Sequence, residues 1–293
     1  MPSAEHEAIV AMVQETPPGG GSIEESRAGY DAMLSMFPLP DDAAIEPITI
    51  EHMEADWVSV PESKADRALL YLHGGGYVIG SNVGYREFSS RMARATQSRV
   101  LVIHYRLAPE NPFPAAVDDA VMAYQFMLDA GFAPENMMVA GDSAGGGLTL
   151  ATLVALRDAG VPLPACATCF SPWVDLEAQG ESAAPGAVDD PMIALEGIQE
   201  MGRTYAGDNL RDPLAAPLHA DLAGLPSLQV FVGTRELLLS DATRIVDNAQ
   251  AAGVDAHLSV GQGLLHVWPV FATLPEAAQT LEEVGAFANK HLA

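Results

Sequence analysis

The chain has 293 residues, 49% of them hydrophobic, enough to bury one large core and too apolar for a disordered chain. Its 39 acids against 14 lysines and arginines give a formal net charge of −25, which repels phosphate backbones and anionic lipid. Nucleic acid and membrane surfaces are therefore excluded as expected partners, and no apolar run approaches the length of a membrane span.

In chain order, the opening MPSAEHEAIVAMVQETPPGGGS carries acids and prolines where a secretory signal would have a basic and then an apolar stretch. A cytoplasmic location is expected. Residues 1–44 read as helical, with Ser22 as N-cap ahead of Glu24 and Glu25, an apolar set of Tyr30, Met33, Met36 and Phe37, and PPGGGS (17–22) as a short linker. Five apolar runs then end at glycine, histidine, aspartate or serine: RALLYLH (67–73), RVLVIHY (99–105), NMMVAGD (136–142), ACATCFS (165–171) and SLQVFVG (227–233). They read as strands buried on both faces. Between them lie helical patterns. In AAVDDAVMAYQFMLDAG, Val117, Val121, Tyr124 and Leu128 share a face and Gly131 supplies the stop; in SDATRIVDNAQAAG, Ile245, Val246, Ala249 and Ala252 face inward.

This alternation predicts an α/β fold with a mostly parallel sheet covered on both sides, and ligand chemistry at the carboxyl ends of the strands. Residues 186–207 read as a second helical piece. With residues 1–44 it is expected to form a small helical cap over the sheet edge, leaving 45–185 and 208–293 as the main domain. Cys166 and Cys169 sit among apolar neighbours and read as buried packing residues. Two ligands alone cannot close a zinc site, and no metal or cofactor is expected. Asp118 with Asp119 and Asp189 with Asp190 lack calcium-loop spacing and read as solvated. The spread of acids along the chain suits salty surroundings, where screening relieves self-repulsion.

The strongest chemical signal is VAGDSAGGG (139–147), with Gly141, Ser143 and Gly145 spaced between an apolar strand and the helical run LTLATLVAL. A serine on a sharp strand-to-helix turn needs glycines two positions either side, because the two backbones nearly touch there. A phosphate loop is the competing reading. It fails because no Lys-Ser or Lys-Thr follows the glycines, and the spacing does not match a dinucleotide fingerprint. Acyl transfer through serine creates an oxyanion, which requires backbone N–H groups already aimed at it. The glycines of YLHGGGYVIG (71–80), about seventy residues earlier, read as one wall of such an oxyanion hole. His73 comes too early in the element order to be the base and reads as a brace for that loop.

These stretches, with YRLAPENPFPAAVDDA (105–120), SPWVDL (171–176), RDPLAAPLHADLAGLPSLQVFVGTRELLLSD (211–241) and GLLHVWPVF (263–271), make the chain resemble the bacterial hormone-sensitive-lipase-like esterases of the α/β-hydrolase fold. The resemblance covers nearly everything beyond residue 45. It implies a serine carboxylesterase with a helical cap, an oxyanion hole of the Gly75, Gly76 and Ala144 amides, and a habit of forming homodimers.

Chain order places the acid and then the histidine after Ser143. Of eight histidines, His266 alone follows the late strand candidate AHLSV (256–260) in a loop that opens onto a helix, and it matches the family's histidine in GLLHVWPVF. His6, His52, His104, His219, His257 and His291 read as surface or packing residues, His104 as a satisfied core histidine. Glu236 is the first carboxylate past SLQVFVG and takes the place of the family's aspartate. Asp241 is its rival, but reads as the N-cap of ATRIVDNAQ. The expected activity is hydrolysis of small, short-chain carboxylic esters. A lactone or amide hydrolase, or a binding protein on the same fold, remains open. Met33, Met36, Phe37, Met192, Ile193, Ile198 and Met201 are candidates for an apolar acyl wall or for core packing.

Overall fold

A computed structural model describes residues 2–15 and 21–293. Most of the linker read at 17–22 lies outside the described residues; Ser22 is within them and builds a reciprocal capping box with Glu25 at the start of α2 (Ile23–Leu34). Ahead of it lies α1 (Ala4–Glu15).

The sheet has eight strands in the order β1-β2-β4-β3-β5-β6-β7-β8. The strands β3 (Ala68–Leu72), β4 (Arg99–Ile103), β5 (Met137–Asp142), β6 (Cys166–Phe170), β7 (Ser227–Gly233) and β8 (Ala256–Gly261) are the expected runs, the first four trimmed by a residue or two, β7 unchanged and β8 longer by one, and pair in parallel. The expectation missed an antiparallel hairpin, β1 (Ala44–Ile50) and β2 (Met53–Ser59), which extends the sheet through β4. Acids and Pro47 disguise it. Pro47 is tolerable because β1 is an edge strand, where one row of amides has no sheet partner.

The period of two along each strand divides the core. Leu70, Leu72 and Val139 face one apolar cluster with Ala144, Leu148 and Ala151 of α5 (Ala144–Asp158) and Ala120 and Tyr124 of α4 (Ala115–Asp129). Leu69, Tyr71, Met138 and Ala140 face the other, with Phe88 and Met92 of α3 (Arg86–Thr96) and Val284 and Ala288 of α8 (Pro275–His291). A third cluster joins β6 and β7 to Ile245, Val246 and Ala249 of α7 (Leu239–Ala251).

Several expectations change. Only the second half of 186–207 is helical, as α6 (Leu195–Ala206), because Asp190 spends its carboxylate on the amides of Met192, Ile193 and Leu237 and holds an irregular loop. Asp190 is thus a hydrogen-bonded brace, and Asp119 is fully buried against Arg106 and His52; neither is simply solvated. His104 is half-buried with Nδ1 unpaired among the described residues, so it is not a satisfied core histidine. Cys166 and Cys169 are buried and free, and burial pushes the Cys166 thiol up to about 12. No helix among the described residues is long and apolar enough to cross a membrane.

Candidate active site

Strand register brings the chemistry together. Leu72 aligns with Gly141, Asp142 with Phe170, Phe170 with Phe231, and Gly233 with Gly261, so the loops following β3, β5, β6, β7 and β8 all leave the same edge of the sheet. Those loops carry His73–Gly76, Ser143, Ser171, Glu236 and His266.

Ser143 stands between β5 and α5 at φ 53° and ψ −119°, a conformation costing about 1–3 kcal/mol for a residue with a Cβ. The turn is held by Ser143 N–H donating to Phe170 O at 2.8 Å and Trp173 N–H donating to Ser143 O at 2.9 Å. Its glycines are sterically required: a Cβ on Gly145 would lie 1.9 Å from Leu72 O, and one on Gly141 would lie 2.3 Å from Gly145 O. Ser143 is half-buried while its neighbours on both sides are buried, so the hydroxyl is reachable.

Gly75 and Gly76 have φ of 116° and 62°, in the region that favours glycine. Gly75 O closes the loop by accepting the amides of Val78 and Ile79. The amides of Gly75 and Gly76 meet no protein acceptor among the described residues, and Ala144 at the first position of α5 has no intrahelical acceptor either. Beneath this loop Asp142 is fully buried and accepts Tyr71 Oη–H at 2.8 Å, Tyr85 Oη–H at 2.7 Å and Gly74 N–H at 3.0 Å. Burial raises its pKa to about 6. The role of Asp142 in tying the Gly74–Gly76 loop to the serine turn was missed from sequence; its place beside Ser143 was the available signal.

His73 is buried and stacked on Tyr105 with ring centroids 4.2 Å apart, and its Nδ1–H donates to Gly74 O at 2.8 Å. Burial lowers its pKa to about 3. It is a neutral brace, as expected.

Glu236 is fully buried. Its Oε2 accepts His266 Nδ1–H at 2.8 Å, and its Oε1 accepts Ser171 Oγ–H at 2.8 Å and the Gly233 amide. Burial raises the carboxyl pKa, while the His266, Gly233 and Ser171 bonds oppose that rise. For His266 burial is the largest influence and lowers the pKa, but the Glu236 hydrogen bond and charge, with Asp190 and Asp142, outweigh it and leave the pKa raised above 6.5. With Nδ1 committed to Glu236, Nε2 is free to take a proton. No hydrogen bond joins Ser143 Oγ to His266 among the described residues; such contacts commonly tighten only when substrate is bound.

Ser171 was also missed. Besides Glu236 it reaches the histidine loop, accepting Val267 N–H at 3.1 Å. The rival acid lies elsewhere. Asp241 Oδ2 accepts the amides of Val174 and Asp175 at 3.0 and 2.9 Å, and its Oδ1 meets Arg244. It is the third residue of α7, so it is not an N-cap; it pins the loop after β6.

The two helical segments meet the site differently. On α6, Tyr205 stacks on Tyr77 at 3.7 Å, and Met201 Sδ lies 2.3 Å from where a Gly76 Cβ would stand. On α2, Tyr30 Oη hydrogen-bonds Tyr85 Oη at 2.9 Å and Arg27 reaches Val78 O and Ala108 O. Of the proposed apolar wall, Met36 is 52% exposed and Phe37 is buried edge-on against Phe271. Among the described residues the cluster with metal-ligand geometry is Asp175, Glu177 and His219. Its carboxylates are already paired with Arg244 and Arg211, which supply the positive charge an ion would bring.

The profile of a family described as having the alpha/beta hydrolase fold matches residues 69–270. An acetyl-hydrolase of Streptomyces hygroscopicus is 42% identical over 269 residues, spanning 91% of this chain and 90% of that protein. An esterase of Acinetobacter venetianus is 31% identical over 266 residues, spanning 90% and 88%. A crystal structure described as an esterase from the bacterial hormone-sensitive lipase family superposes with a TM-score of 0.97 at 44% identity, covering 100% of both chains.

Proposed function

The chain belongs to the hormone-sensitive-lipase-like esterases of the α/β-hydrolase fold and is a carboxylic ester hydrolase; on that premise we propose that Ser143, Glu236 and His266 are its triad and Gly75, Gly76 and Ala144 its oxyanion hole. The observation that carries the assignment is the buried Glu236–His266 hydrogen bond of 2.8 Å, made by a histidine whose other nitrogen is uncommitted.

In this reading His266 Nε2 takes the Ser143 proton as Oγ attacks the ester carbonyl carbon. The tetrahedral oxyanion is held by the three unspent amides and the positive end of α5, each donor contributing about 3 kcal/mol. His266 then protonates the departing alcohol and activates water to release the acid. Glu236 stays ionised and holds the imidazole in the tautomer with hydrogen on Nδ1.

The substrates are short-chain esters. Met201 of α6 stands against Gly76, and Tyr205 of α6 stacks on the adjacent Tyr77, which supports a small acyl site. Residues 1–44 and 186–207 act as the cap and 45–185 with 208–293 as the catalytic domain, a division supported by α2 reaching Val78 and Tyr85 and α6 lying against Gly76. The enzyme works in the cytoplasm, which its two free cysteines suit, as a homodimer. The unpaired outer edge of β8, with Val260 39% exposed, supports such an interface, and light scattering in solution tests it.

The decisive experiment is hydrolysis of a chain-length series of p-nitrophenyl esters by the wild type and Ser143→Ala. Activity confined to short esters and lost in the variant is expected. Equal activity in both would remove the nucleophile assignment; turnover of lactones or amides instead would move the substrate class.

A further inference from the structure

The geometry points to His6, on α1, as a positioning residue for His266, an inference that rests on His266 being the general base. Ser3 caps α1 by accepting the His6 amide at 3.1 Å, and its own amide and hydroxyl donate to the Glu276 carboxylate of α8 at 2.6 and 2.9 Å. The start of α1 is thereby tied to α8. Ile9, Val10 and Val13 bury the next turns in the cluster that contains Leu264, Leu265 and Val267.

This docking brings His6, fully buried, against the histidine loop. Its Nε2 accepts Leu265 N–H at 3.0 Å, across 259 residues of sequence. An amide can only donate, so Nε2 is unprotonated and the ring proton sits on Nδ1, which has Glu7 Oε1 3.7 Å away. The two amides flanking His266 are therefore both held by side chains: Leu265 N–H by His6 and Val267 N–H by Ser171. The loop needs such restraint because Val267, a β-branched residue, sits at φ 48°. Removing one of its two anchors releases the peptide that aims the imidazole at Glu236 and Ser143.

His6 is suited to this by remaining neutral. Burial lowers its pKa below 6.5, against the upward pull of Glu7 on its own helix and Glu276 on α8, while Arg235 in the loop after β7 adds to the lowering. That direction agrees with the geometry, in which Nε2 accepts Leu265 N–H.

The test compares the wild type, His6→Ala, His6→Gln and Val10→Ala in the full chain, with kcat, KM and the pH dependence of kcat/KM on a short p-nitrophenyl ester. A Gln Oε1 can replace Nε2 as acceptor, and Val10→Ala loosens the same helix without touching the loop amide. Expected are a fall in kcat on the order of 10-fold or more in His6→Ala at similar KM, an acid limb displaced to lower pH as the Glu236 contact weakens, and recovery of most of the rate in His6→Gln. Wild-type kcat and acid limb in His6→Ala would overturn the inference, as would His6→Gln as impaired as His6→Ala, or Val10→Ala reproducing both changes. If His6→Ala does not fold, the Gln and Val10 variants decide by the same criteria. Failure here with Ser143→Ala inactive leaves the triad assignment standing, whereas an active Ser143→Ala removes the premise.

Discussion

The two halves of the proposed active site are built by opposite means. On the nucleophile side, Gly75, Gly141 and Gly145 place backbone against backbone, Gly76 makes room for the Met201 side chain, and geometry comes from side chains that are absent. On the acid–histidine side, Ser171, Glu236, His6 and Asp190 spend polar side chains on the loops after β6, β7 and β8, holding irregular backbone by hydrogen bonds. The first kind of site resists any added atom and the second any removed one. Substitutions should therefore divide between them by sign of volume change as well as by position.

The largest effect expected is from Glu236→Gln, which keeps volume but replaces the acceptor of His266 Nδ1–H; kcat should fall by on the order of 10³–10⁴-fold. Asp241→Asn, changing a carboxylate that braces Val174 and Asp175, should lower thermal stability with far less loss of rate. Measuring both kcat and melting temperature for the pair checks the ranking, and the reverse order would transfer the acid role to Asp241.

On the glycine side, Gly145→Ala sets a methyl 1.9 Å from Leu72 O and 2.6 Å from His73 O, both backbone atoms that cannot swing aside. Destabilisation of about 3 kcal/mol or more follows, visible in urea unfolding; unchanged stability would mean the two backbones separate more easily than their packing indicates. A smaller loss, about 10-fold in kcat, is expected of Ser171→Ala, which strips one bond from Glu236 and one from Val267 while leaving a cavity too small to unfold the chain. A full-rate Ser171→Ala would show that Gly233 and His266 alone orient the acid.

The smallest effect separates the halves by pH. In the proposed triad His266 must be neutral to act as base; burial lowers its pKa, but the Glu236 hydrogen bond and charge outweigh that and leave it raised above 6.5. Activity is therefore present above that raised value and lost as pH falls through it. In Glu236→Gln the residual rate should carry its acid limb at lower pH, because burial remains and the opposing charge is gone. An unmoved limb would assign that limb to another group.

Local chemistry made much of this legible. The seven-residue apolar runs of five central strands, the Ser22 N-cap, and the glycines around Ser143 announce themselves because strand burial, helix starts and tight turns each depend on neighbours within a few residues. The hairpin of β1 and β2 was hidden because an edge strand tolerates Pro47 and exposed acids, which erase the apolar signature. The choice of Glu236 over Asp241 rested on order along the chain and on resemblance.

By itself, then, the sequence determined an alternating α/β chain, a strained serine turn and the order in which acid and histidine follow it. Tertiary structure alone decided which carboxylate meets His266, that Asp142 and Ser171 brace the loops, and that His6 reaches Leu265 across 259 residues. Hydrogen bonds between loops reach only about 3 Å, so they exist only once the assembled sheet has brought distant strand ends together, which no single segment of the chain does alone.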